Sequence, residues 1–117
     1  MDKPLIKPGT VVDVRCLGTE RESLLVKTLN VKIVHLVIPA GQTIPTHQAQ
    51  GEVILHCLEG RVSLVALGTR QELKAGQLSY FFIDEPFSIL GIEQASLIMT
   101  IITAKTGQNV ELIGNRE

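Results

Sequence analysis

The 117-residue chain is poor in aromatic residues: it has no Trp, one Tyr and three Phe, and all four fall between positions 80 and 87. Aromatic rings therefore cannot furnish a distributed core, and the apolar interior must come from Val, Ile and Leu. Charge of one sign is also lacking. Eleven Lys and Arg stand against twelve Asp and Glu, a formal net charge of -1, which leaves no basic footprint for nucleic acid. The two cysteines, Cys16 and Cys57, have no CxxC spacing, so neither a zinc knuckle nor a disulfide framework is indicated. Both lie in apolar runs and are read as small buried hydrophobes suited to a reducing compartment. No apolar run approaches the roughly 20 residues of a membrane helix, and the opening residues DKPLIKPG hold no apolar core of a secretory leader. The expectation is a soluble, cytoplasmic protein with no membrane and no nucleic-acid partner.

A 3.6-residue apolar stripe is missing too. Glycines at 41, 51, 60, 68 and 76 instead punctuate Val-, Ile- and Leu-rich segments every eight to ten residues. That rhythm points to an all-β sandwich or barrel. No linker, repeat or low-complexity stretch divides the chain, so a single domain over 1–117 is expected. It is divided into N-terminal strands over 1–30, a barrel core over 31–103 and a polar tail over 104–117, with a short strand at 109–113. Strands are predicted where Val12, Val14 and Cys16 alternate with Asp13 and Arg15, over 24–29, and over 31–38, the last buried on both faces. Further strands follow at 61–67, at 71–73 as a short edge, at 78–83, 87–90 and 96–103. Glu59-Gly60-Arg61 reads as a tight hairpin turn, and Asp84-Glu85-Pro86 as a second turn in which proline fixes φ. Mean hydropathy is high for so small a domain, and a homodimer covering one sheet face is the expected remedy.

Residues 41–60 read GQTIPTHQAQGEVILHCLEG. Gly41, five residues, then His47, with a closing Leu58-Glu59-Gly60, resembles the first motif of the cupin superfamily. Gly76 and Pro86 resemble parts of the second. The resemblance covers about residues 31–103 and implies a double-stranded β-helix, the cupin jelly-roll barrel of RmlC-like proteins. In that family a metal sits on three histidines and one glutamate. Of these positions only His47 keeps its ligand; the others carry Ala49, Val53 and Phe87, and the motif proline is Phe82. Glu52 is one residue off and faces the opposite side by strand alternation. No metal and no cofactor are therefore expected.

If the template's inward parity holds, His47, Ala49, Val53, Leu55, Cys57 and Phe87 line an apolar pocket able to take a small-molecule ligand. His47 stands open as ligand, general base or hydrogen-bonding anchor. Tyr80, Phe81, Phe82 and Phe87 are either the wall of that pocket or a plug in the space the metal once held, with Phe81 and Phe82 on opposite faces. His56 is read as outward, and Cys57 as inert. A zinc site from His35, His47 and His56 needs two strand parities to coincide and is disfavoured. The charged residues Glu20-Arg21-Glu22 and Asp84-Glu85 are read as solvated loops, and no serine or cysteine sits at a spacing that marks an activated nucleophile. The favoured reading is a metal-free small-ligand-binding barrel rather than an enzyme. The alternative is a metal-dependent or histidine-based oxygenase- or isomerase-type cupin with displaced ligands.

Overall fold

The computed structural model describes residues 5–47 and 51–103, with all side chains in those ranges except Thr46 and His47. Ala49, the 104–117 tail and the strand expected at 109–113 lie outside the described residues. Among the described residues, nine strands follow a single 3-10 turn at Val14–Cys16: β1 (Glu22–Lys27), β2 (Val31–Ile38), β3 (Thr43–His47), β4 (Gly51–Glu59), β5 (Arg61–Ala66), β6 (Thr69–Lys74), β7 (Leu78–Phe81), β8 (Phe87–Gly91) and β9 (Ala95–Thr103). They form a five-stranded sheet in the order β1-β2-β9-β4-β7 and a four-stranded sheet in the order β3-β8-β5-β6. Neighbours in both sheets are antiparallel. Among the described residues no helix is long and apolar enough to cross a membrane.

Period-two alternation builds the core. Along β4, Val53, Leu55 and Cys57 are buried while Ile54 and Leu58 are half-buried and His56 is exposed. Val34, Leu36 and Ile38 on β2 and Leu97 on β9 complete the inner face of the larger sheet, opposite Val62, Leu64 and Ile89 of the smaller one. Burying one such Leu contributes about 1.5–3 kcal/mol, so alternation over nine strands suffices without a large aromatic core. β2 is buried on both faces at its centre, where Val34, His35 and Leu36 are each under 6% exposed. Residues preceding β1 help to cover the outer face, and Ile6 N–H donates to the Leu25 carbonyl at 2.9 Å. The edge strand β6 reads TRQELK with only Leu73 buried, and its charges discourage edge-to-edge pairing.

Three expectations are corrected. The strand through Val12, Val14 and Cys16 is not formed. Asp13 Oδ1 accepts the Arg15 backbone N–H at 2.9 Å and caps a 3-10 turn there, a local hydrogen bond that competes with strand pairing. Cys16 is consequently exposed rather than buried. Glu59-Gly60-Arg61 is no hairpin either: β4 pairs with β7 and β9, whereas β5 pairs with β6 and β8. Gly60 instead carries the chain from one sheet to the other. Its φ is +78°, and a Cβ there would collide with the backbone of Gln94 and Ala95, so only glycine fits the crossing.

Candidate ligand-binding site

Of the residues expected to line a pocket, Val53, Leu55, Cys57 and Phe87 are buried in the barrel interior, and the backbone of His47 is placed on β3. On β4, the inward positions Val53, Leu55 and Cys57 are at most 1% exposed. Phe87 opens β8 on the opposite sheet and is buried as well. Its backbone is in register with His47 of β3 on one side and Ala66 of β5 on the other. Phe81 closes β7 opposite Val53 and projects inward. The Phe81 and Phe87 rings stack with centroids 4.4 Å apart and planes 7° from parallel. Two sheets are thereby joined by an aromatic pair, a contact that adds about 0.5–1.5 kcal/mol beyond area burial. Alternation turns Tyr80 and Phe82 the other way, and both are half exposed. Within the aromatic group, Phe81 and Phe87 fill space and the other two face outward.

Among the described residues, open volume lies beside this stack. Two adjoining cavities of about 410 and 330 Å³ run along the seam between the edge strands β6 and β7. They share Ala66, Thr69, Gln71, Ser79 and Phe81, so one ring of the stack forms part of the cleft wall. Ala66, Gln71 and Ser79 were not among the residues singled out in the sequence. The signal that could have found them is the polar edge strand itself, since a cleft forms where two sheet edges fail to pair. At its outer lip Tyr80 Oη donates to Glu52 Oε1 at 2.9 Å. Partial burial and the Glu52 carboxylate both push the Tyr80 phenol above its ordinary value.

The Cys57 thiol donates to the Glu59 carbonyl at 3.3 Å, and burial pushes its pKa up. A thiolate is disfavoured there, so Cys57 is a packing residue and no nucleophile. The residues at the family's metal positions do not fit a metal. Val53 and Phe87 carry no donor atom, and among the described residues no group of three or more His, Cys, Asp and Glu is placed to hold an ion. His35 and His56 lie in one row on the outer face of the larger sheet, with Ile98 of β9 between them. Two strand spacings of about 4.8 Å separate their backbones, and His47 belongs to the other sheet. The register therefore does not assemble the three-histidine alternative.

No family model matches the sequence, and no curated protein matches it. Solved structures do. A conserved protein of unknown function from Streptococcus pyogenes superposes with a TM-score of 0.76 at 16% identity, over 91% of this chain and 97% of its own. A cupin superfamily protein from Desulfitobacterium hafniense gives 0.74 at 11% identity, over 89% and 99%. An RmlC-like cupin from Desulfovibrio desulfuricans gives 0.65 at 23% identity, over 87% and 96%. These likenesses show the fold: the chain has the cupin jelly-roll fold, built of two antiparallel sheets.

Proposed function

We propose that this cupin domain is a metal-free, small-ligand-binding barrel, working as a homodimer in the cytoplasm, whose ligand sits at the His47 end against the Phe81–Phe87 stack. The observation that carries the reading is the stack itself. Phe87 stands where the resemblance calls for a metal-binding histidine, and its ring is packed against Phe81 in the space such a site would need. The seam cleft brings open volume to Phe81, one ring of the pair, within the size range of small-molecule sites. A small apolar or aromatic acid resting on Phe81 suits the apolar character of this end, with His47 as its proposed anchor. The position of His47 opposite Phe87 supports its role as the anchor.

Dimerisation through the outer face of the five-stranded sheet is part of the same proposal. Leu78, Tyr80, Phe82 and Ile102 are 38–65% exposed on that side, and Ile54 and Ile98 lie between them, half-buried. The row contains few charges, so a second copy offering the same apolar surface is the complementary occupant.

The ligand proposal is tested by thermal-shift screening of small aromatic and aliphatic acids against the native chain and His47→Ala. Compounds that stabilise the first and not the second are expected. A panel that never discriminates the two proteins would refute the anchor. Stoichiometric Fe, Mn, Ni or Zn in the purified protein, lost in His47→Ala, would overturn the metal-free reading in favour of a metal-dependent cupin.

A further inference from the structure

A second polar site lies on the outer face of the larger sheet, away from the barrel interior. β2 and β9 pair with Val37 opposite Ser96 and His35 opposite Ile98. His35 and Ser96 are thus diagonal neighbours on one face. His35 Nε2 and Ser96 Oγ are 2.7 Å apart. The imidazole is 1% exposed, whereas Ser96 is only half-buried. A cavity of about 380 Å³ opens on the pair, roofed by Val14, Leu17 and Thr19 of the segment before β1 and edged by Glu59 and Gln94.

A serine that merely satisfies a buried histidine needs no empty volume beside it; closely packed atoms would serve better. Here a hydroxyl and a base within hydrogen-bond reach meet in a cavity, the nucleophile–base half of an activated hydroxyl. The rim also constrains the substrate's charge. Arg15, the cationic residue of the cavity wall, is held by Asp13 through Nε at 3.0 Å and Nη2 at 2.9 Å, which neutralises it. Glu59 adds a carboxylate. Anionic substrates are therefore disfavoured, and the volume admits only small ones.

We propose that Ser96 is a histidine-activated hydroxyl that accepts acyl groups from small uncharged esters. With its own proton on Nδ1, His35 takes the Ser96 hydroxyl proton at Nε2 as Oγ bonds to the ester carbonyl carbon. The carbon–oxygen bond to the leaving alkoxide then breaks, and the alkoxide departs as alcohol with the proton from Nε2. Water next gives a proton to Nε2 while its oxygen bonds to the acyl carbon. The Oγ–carbon bond breaks, Ser96 regains the proton, and the carboxylic acid leaves. Thr19 and Gln94 line the same cavity and bring side-chain donors suited to the developing carbonyl oxyanion.

The test treats the full chain with phenylmethanesulfonyl fluoride, which sulfonylates an activated serine with loss of fluoride, and with 4-nitrophenyl acetate. Mass spectrometry of the digest is expected to find a single adduct on the peptide carrying Ser96. Ester turnover should vanish in Ser96→Ala and fall about 100-fold or more in His35→Gln. An unmodified Ser96, an adduct that forms equally fast in His35→Gln, or turnover that survives in Ser96→Ala would each overturn the proposal. Because Ser96→Ala removes one oxygen at a half-buried position, it remains decisive even if His35→Gln does not fold.

Discussion

Replacing Phe87 with Ala tests the packing argument most directly. The ring is 2% exposed and stacks face to face on Phe81 at 4.4 Å, so truncation removes both its buried area and the partner of a second ring. Strands held by hydrogen bonding within each sheet refill the gap only in part, which places the cost in the usual Phe→Ala range of about 3–5 kcal/mol. Unfolding entropy is about 2.1 cal/mol/K per residue. Over the 117 residues the loss corresponds to a fall in Tm of about 12–20 °C. Calorimetry and urea titration of the native and variant chains measure it. The residual hole is apolar, bounded by Phe81 and Val53, and should stay dry enough to accept benzene or toluene. Saturating toluene is then expected to recover part of the lost Tm in Phe87→Ala and to leave the native protein unchanged. A loss below about 1 kcal/mol, typical of surface sites, would refute the idea that this ring plugs the barrel.

Gly60→Ala should destabilise far more than Gly68→Ala, although both positions have positive φ. The added Cβ meets the Gln94 backbone at the first and nothing within 4 Å at the second. Equal Tm losses would contradict the sheet-crossing role of Gly60. Thiol titration with a disulfide reagent should find one fast group, exposed Cys16, and one released only on unfolding, buried Cys57; two fast thiols would remove Cys57 from the core. Because the folded-state pKa of Cys57 is raised, its contribution to stability is full below the unfolded value, about 8.5. That contribution is lost as pH rises through the folded value. Cys57→Ala should accordingly flatten the alkaline limb of a stability–pH curve measured by urea unfolding, and an unchanged limb would count against the burial effect. Leu78→Lys, at a 65% exposed position of the outer face, should weaken self-association about tenfold or more in sedimentation at micromolar concentration without lowering Tm. A native chain that sediments as a monomer would defeat the dimer proposal.

Much of the barrel was legible in the residues because strand burial is a period-two property written locally. Val31–Ile38 matches its predicted bounds, and inward Val53, Leu55 and Cys57 follow from alternation along a single strand. Where the signal was short and a side chain could compete for the backbone, the local reading failed. Asp13 caps Arg15 and turns an apparent strand into a 3-10 turn. The Gly60 turn failed for a different reason: the same φ serves a hairpin or a crossing between sheets, and only the partners of the flanking strands decide which.

By itself, then, the sequence determined the all-β class, the inner face of β4 and the absence of donor atoms at two of the family's metal positions, Val53 and Phe87. Each is a property of residue type and alternation. The tertiary structure alone decided that Phe81 and Phe87 stack across the two sheets, that a cleft follows the seam of β6 and β7, and that His35 meets Ser96. These pairs lie 6 to 61 positions apart in the chain, and strand register, fixed by the closing of the whole barrel, brings them together.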